Sequence, residues 1–358
     1  MRFFISIAII ALLSGCADLG YYWHSVNGHL KLMSQRVDIE DLLADQALAA
    51  DLRERLTLVG EIRLFAVDRL ALPDNASYAS FVQLDKPYVL QNLFAATEFS
   101  TQLHSWCYPI VGCTSYRGYY DEARLQRYID SLEKTGLEVY VGQVSAYSTL
   151  GWFDDPVLSS FIDWPEYRLA GLLFHELVHQ RIYIDDDSEF NESLASAVQQ
   201  AGTILWLQAR QQSVQLAGYQ LWLNYRREVM QLIASTRGEL NQLYAQPIGD
   251  DQKRLQKRVI FARAVKTHAA IAQARGIADG YSDWFASEMN NAKMGSVSVY
   301  NARLPAFLKM IEFYQGDFAA FFVYVEQLGE LPRMARDLCL DAWEMSAEGN
   351  QHCAESRD

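Results

Sequence analysis

The chain has 358 residues, half of them hydrophobic, with 21% charged residues and eight prolines, a composition that can bury a large core and excludes a disordered chain. Its 44 acidic residues outnumber 31 basic ones for a net charge of -13, which argues against nucleic-acid partners and against electrostatic adhesion to anionic lipid. No internal repeat, low-complexity run or Gly/Ser linker divides the sequence.

Met1-Arg2 gives a positive start, residues 3–13 are apolar, and Leu13-Ser14-Gly15-Cys16 follows. The apolar run is too short for a mature membrane anchor and reads as a signal peptide over residues 1–15. The four residues ending at Cys16 resemble the lipobox of bacterial lipoproteins, which implies cleavage before Cys16 and lipid on its sulfur. The chain is then expected in the cell envelope, held to a membrane through that lipid. Ala17 rather than Asp follows, which favours the outer membrane facing the periplasm. An ordinary secretory signal that happens to contain Cys16 is the alternative.

Two helical patterns fill residues 38–70, and Leu72-Pro73-Asp74-Asn75 ends them. Residues 78–92 are strand-like, with Pro87 restricting any strand there to an edge. The four cysteines after Cys16 fall into two local pairs, Cys107 with Cys113 and Cys339 with Cys353, which suits disulfides in an oxidising compartment; free buried thiols are the alternative. A helix is predicted over 121–134, stopping at Gly136, followed by a strand over 137–144. Residues 146–153 continue in extended style to Asp154-Asp155-Pro156. This strand either holds an extended substrate along its edge or is simply interior.

Next comes a predicted helix over about 164–181, with Asp163 as a plausible cap and Pro165 in its first turn. Leu169, Leu172, Leu173, Leu177 and Val178 make it apolar nearly all round. Within it stands His175-Glu176-Leu177-Val178-His179. Two imidazoles four residues apart share one helix face and can share one metal ion, while Glu176 stands where it can take a proton from an attacking water. Two hydrogen-bonded core histidines beside an incidental Glu are the alternative reading. Asp185 to Asp187 read as a solvated turn rather than a calcium site. A further helix starting at Ser188 or Glu189 brings Glu192 back alongside as third ligand, with Glu189 as rival on the same face. Long helices follow at about 188–210, 217–245 and 250–275, so the chain reads as mainly α with a small β-sheet, an α+β fold. Its sheet-containing part covers about 16–160 and its helical part about 161–358.

Together with the HExxH residues, Asn191-Glu192-Ser193-Leu194-Ala195 resembles the gluzincin class of zinc metallopeptidases. The resemblance implies a gluzincin-like core over residues 16–358, Glu192 as ligand and Asn191 as hydrogen-bond partner of a ligating histidine. Ser196 departs from the pattern, since several gluzincins place there a carboxylate that supports the other histidine. The wider sequence resembles a family of bacterial lipoproteins predicted to be aminopeptidases. The marks are Trp106-Cys107 to Cys113, Tyr116-Arg117-Gly118-Tyr119, residues 146–156, 174–180 and 190–192, and Tyr300-Asn301-Ala302-Arg303-Leu304. By this route Arg117, Tyr147, Gly151, Asp154, Asp155 and Asn301 become candidate pocket residues, each with a structural alternative.

The expected chemistry is amide hydrolysis of a peptide substrate with one Zn2+ held by His175, His179 and Glu192 and with Glu176 as general base. Tyr147, Tyr183 and His268 are candidate donors to the developing oxyanion, and Asp154, Asp155 or Glu189 could grip a free amine. Two alternatives stay open: an envelope scaffold with a structural metal, and an amidase acting on peptidoglycan peptides.

Overall fold

A computed structural model describes residues 20–345 apart from 22, 109–111, 147–152, 279 and 298–302. Cys16, Tyr147, Gly151, Asn301 and Cys353 therefore lie outside the described residues. Every named strand falls between Val37 and Leu158, and the chain after them is helical.

Helix α1 covers 23–34, and β1 (Val37–Asp38), α2 (Ile39–Ala44) and α3 (Ala50–Leu70) follow. Leu56, Val59, Ile62, Ala66 and Leu70 recur at helical spacing along α3 and are fully buried. Ala71 closes α3 in the left-handed conformation at φ 51°, just ahead of Pro73. The strand-like stretch 78–92 is not one strand. It divides into β2 (Ser80–Val82) and the start of β3 (Leu90–Thr97), which belong to different sheets, and Pro87 lies in the connection between them. A ring that cannot donate to a ladder interrupts the run there.

Strands β4 (Trp106–Tyr108), β5 (Gly112–Thr114) and β6 (Arg117–Tyr119) precede α4 (Glu122–Glu133), β7 (Leu137–Val144) and β8 (Val157–Leu158). Among the described residues these form three small sheets, ordered β1-β2-β8, β6-β3-β7 and β4-β5. In the last, Cys107 faces Cys113 across the hairpin and the two form a disulfide. Strand β7 pairs with β3 from Leu90↔Val144 to Thr97↔Leu137 and lies at the edge of its sheet. Part of its outer edge is already engaged, because Asn290 donates its side-chain amide to the Val139 carbonyl.

The helical part comprises α5 (Glu166–Arg181), α6 (Ser188–Ala209), α7 (Ser213–Tyr244), α8 (Asp250–Arg275), α9 (Gly280–Ala286), α10 (Asn291–Ser296), α11 (Leu304–Phe313), α12 (Phe318–Gly329) and α13 (Arg333–Met345). Helix α5 begins after Pro165, so Asp163 does not cap it. Helix α7 starts four residues before the predicted 217, because its first turn faces solvent and carries no apolar periodicity; Val214 there is 81% exposed. No helix among the described residues is long and apolar enough to cross a membrane.

The main core packs α5 and α6 against α3 and α11–α13, with Leu173, Phe174, Leu194, Val198, Phe307 and Phe321 wholly buried. Each such side chain contributes about 1.5–3 kcal/mol of burial, which outweighs the modest helix propensity of the β-branched and aromatic residues here. Where α6 crosses, a Cβ on Gly202 would stand 2.7 Å from Leu70 Cδ1 and 3.0 Å from Phe174 Cδ2, so only glycine permits that approach. A second core joins α7, α8 and α9 around Tyr225, Phe261 and Phe285.

The acidic turn before α6 departs from expectation. Asp185 and Asp186 are exposed, but Asp187 is buried and pairs with buried Arg336 of α13 at 2.6 Å. It also accepts from the Phe190 amide as the cap of α6. Arg336 further donates to the Gly329 and Leu331 carbonyls. A buried carboxylate needs such a partner, and α13 supplies it from 149 residues away.

Candidate metal centre

Helices α5 and α6 run antiparallel, and polar groups fasten both ends of the pair. At the turn, Asn191 accepts from the Ile184 amide and donates to the Ile184 carbonyl, at 2.9 and 2.8 Å. At the far end, Glu166 of α5 accepts from the Trp206 indole at 2.9 Å and from Gln212 at 3.0 Å, and pairs with Arg210 at 2.9 Å. These fastenings set the register that brings Glu192 opposite the two histidines. Asn191 therefore holds the turn rather than a ligating imidazole, which corrects the role implied for it.

His175 Nε2 and His179 Nε2 lie 3.2 Å apart, and Glu192 reaches them with Oε2 at 3.3 Å and Oε1 at 3.6 Å. Ligand atoms of the three residues all fall within 4.8 Å of one another. Donors about 2.0 Å from a tetrahedral centre are separated by about 3.3 Å, so this spacing fits a small divalent ion. The chemistry of the set agrees. Gln199 Oε1 lies 3.2 Å from His175 Nδ1, so the ring proton belongs there and Nε2 offers a lone pair to the centre. His179 Nδ1 is buried and has no hydrogen-bond partner among the described residues. Two nitrogen lone pairs and a carboxylate facing one another, largely out of water, are costly unless a cation joins them.

The charges are tightly coupled. Burial, then the neighbouring His175, hold His179 down at about 4. Burial also acts to lower His175, but the Glu192 hydrogen bond and the charges of Glu176 and Glu192 outweigh it and leave this imidazole above its ordinary value. Glu192 lies below the ordinary carboxylate value; burial opposes that shift, and the hydrogen bond and charge of His175 override it. The pair thus holds at most one proton readily.

Glu176 stands beside the centre in the lining of a cavity of about 250 Å3. Trp164, Tyr167, Tyr219 and Trp222 make its wall largely aromatic, and Arg168, stacked over Trp164 at 4.5 Å, is its cation. Tyr78 is buried, and burial together with the charges of Glu176 and Asp155 pushes its phenol well above the usual value, so it stays protonated. Its backbone is left-handed at φ 60°, held by its amide donating 2.6 Å to the Asp155 carbonyl.

A family model described as "Putative aminopeptidase" matches residues 20–340. The chain belongs to this family. No curated protein and no solved structure matches it.

Within this aminopeptidase-family chain the remaining predicted residues disperse. Glu189 turns to Arg303, 3.6 Å away, so it is Glu192 that joins the imidazoles. Tyr183 lies at the edge of the centre, its ring 6.4 Å from that of His179. Burial and then the charges of Asp185 and Glu192 raise its phenol. His268 belongs to the second core, bonded to Tyr225 at 2.8 Å and stacked on Phe285, which removes it from the oxyanion candidates. Asp155 is buried beside Tyr78, while the Asp154 carbonyl accepts from Arg36 at 3.0 Å. Arg117 lines a different cavity altogether, which shares no residue with the one beside Glu176. Ser196 is buried on α6, one turn beyond Glu192. Cys339 is buried on α13.

Gln199 and Tyr78 were missed in the sequence. Gln199 carried a signal, since it stands seven residues after Glu192 and so on the same helix face. Tyr78 carried none, because a tyrosine opening a strand-like stretch gives no hint of which helix it meets.

Proposed function

We propose that this protein is a zinc-dependent peptidase of aminopeptidase type, and the convergence of His175, His179 and Glu192 at tetrahedral spacing beside Glu176 carries the reading. When bound, the ion supplies Lewis acidity, lowering the pKa of water and polarising a carbonyl. The three side chains would hold it, and Gln199 would keep the His175 ring in its metal-binding tautomer. Glu176 accepts the proton of the attacking water and returns it to the leaving amine. The aromatic cavity beside it takes an apolar side chain and keeps water away from the reacting carbonyl. Membership of the aminopeptidase family supports a peptide as substrate.

Glu176→Gln tests this directly. Zinc should stay bound while hydrolysis of unblocked peptides falls by about 10²- to 10⁴-fold, the usual worth of a general base. Retained cleavage with zinc in place would remove Glu176 from the chemistry. A panel of N-terminally blocked and free peptides then separates aminopeptidase from endopeptidase action. We also propose the lipid anchor at Cys16, with the chain in the cell envelope. Mass analysis of the mature N-terminus and release of a Cys16→Ala variant from the membrane fraction check it.

A further inference from the structure

Helix α1 has one side seated in the protein and one turned away from it. Leu32 is buried in the main core, and one turn earlier a Cβ on Gly28 would fall 2.3 Å from the Tyr120 ring, so close packing fixes the inner side. Trp23, Val26 and Leu30 recur at i, i+3 and i+7 and form a row along the opposite side. They are 66%, 50% and 53% exposed. Phe153, itself 49% exposed, packs on His29 of the same helix with ring centroids 4.7 Å apart and adds a fourth apolar side chain beside it. Single exposed apolar residues are ordinary on a protein surface, but a contiguous row of them marks a contact. Asn27 and Lys31, both exposed, border the row with polar groups.

Chain length decides what covers this face. Gly20, the first described residue, is four residues from Cys16, a span of at most about 14 Å of extended chain. Trp23 is seven residues from Cys16, at most about 25 Å. Lipid entering a bilayer from Cys16 holds the row beside the bilayer surface, at an effective concentration that a free partner does not match. Tryptophan leads the row at the end nearer Cys16, and an indole, apolar with one polar N–H, suits the boundary between membrane and water. The net charge of -13 offers no electrostatic hold on anionic lipid, so apolar insertion is the contact that α1 can make.

We propose that α1 lies on the bilayer surface through Trp23, Val26 and Leu30, so that the protein rests on the membrane in one orientation instead of swinging on its tether. This rests on the lipid anchor at Cys16 proposed above.

Trp23 fluorescence of the processed full chain, reconstituted into phosphatidylcholine vesicles, tests it. Lipid with brominated acyl chains quenches only indoles that reach the bilayer, and Trp23→Phe isolates the share of this one among eight tryptophans. The Trp23 emission is expected to be shifted to the blue and largely lost in brominated lipid, while Trp23→Phe loses little. Adding Leu30→Trp to Trp23→Phe should restore the quenchable emission from further along the same row, with the thermal midpoints of the variants as the control for folding. Mass analysis of the mature N-terminus separates the two readings. Unquenched Trp23 on a chain whose Cys16 carries lipid overturns the proposal and leaves the anchor standing. Quenched Trp23 on a chain without lipid supports the face and removes the anchor, and unquenched Trp23 without lipid removes both. Trp23 shielded from aqueous iodide yet blind to bromine, together with a dimeric mass in detergent, gives the face to a second copy of the chain and also overturns the proposal.

Discussion

Replacing Gln199 with leucine removes the acceptor 3.2 Å from His175 Nδ1 while keeping nearly the same volume against Gly171 of α5. The ring then loses the contact that places its proton on Nδ1, and the tautomer with a protonated Nε2 becomes accessible. Outer partners of ligating histidines are worth 10- to 100-fold in metal affinity, roughly. This bond is neutral on both sides and at the long end of the N–H···O range, so the lower figure applies, about tenfold or 1.4 kcal/mol. Gln199→Glu should move the other way, because a charged acceptor roughly doubles the bond and raises the basicity of Nε2. Chelator competition for zinc on purified parent and variant chains measures both, with the thermal midpoint of the metal-free proteins as the control for folding. A leucine variant within twofold of the parent would refute the argument, as would a glutamate variant weaker than the leucine one.

Three further outcomes follow from the same structure. Arg336→Met leaves the Asp187 carboxylate buried without its partner and should cost about 3–5 kcal/mol in denaturant unfolding, with the Asp187→Asn, Arg336→Met double variant recovering part of it; strictly additive losses would contradict a direct pair. Gly202→Ala places a methyl against Leu70 and Phe174, both fully buried, and should cost about 1–3 kcal/mol; an unchanged midpoint would show that the crossing relaxes. In the chelated protein, His179 is held near 4 against 6.5 for the free group, so the unfolded chain takes the proton first. The stability it contributes is complete above about 6.5 and is lost as pH falls toward 4, at most about 3 kcal/mol. His175 shifts the opposite way, so its share is present below 6.5 and lost as pH rises through its raised value. His179→Asn should accordingly flatten the acid limb between 6.5 and 4, and an unaltered limb would show that this imidazole is not buried as described.

What could be read in advance was local. The α5 pattern was legible because its leucines recur at helical spacing around two histidines, and Glu192 because the following turn is short enough to return the chain alongside. The strand at 137–144 showed in its β-branched alternation, and it matches β7 residue for residue. What escaped depends on partners distant in sequence. The commitment of Asp187 to Arg336 is invisible in a run of three aspartates, which by itself reads as solvated. Arg117 was a candidate pocket residue by resemblance, and it lines a cavity formed with α1 rather than one beside the histidine helix. The division of 78–92 between two sheets was hidden because apolar alternation says nothing about which neighbour a strand will choose. Helices α9 to α13 were not delimited within the helical part, their short apolar runs being ambiguous between a helix and a buried strand.

The clasp between Asp187 and Arg336 also gives α13 a hold on the turn that leads into the helix bearing Glu192. Asp187 can lie in the interior because Arg336 meets it there. A chain cut ahead of residue 333 would leave that carboxylate buried and unmatched, and it should unfold at a lower denaturant midpoint than the full chain although His175, His179 and Glu192 are all retained.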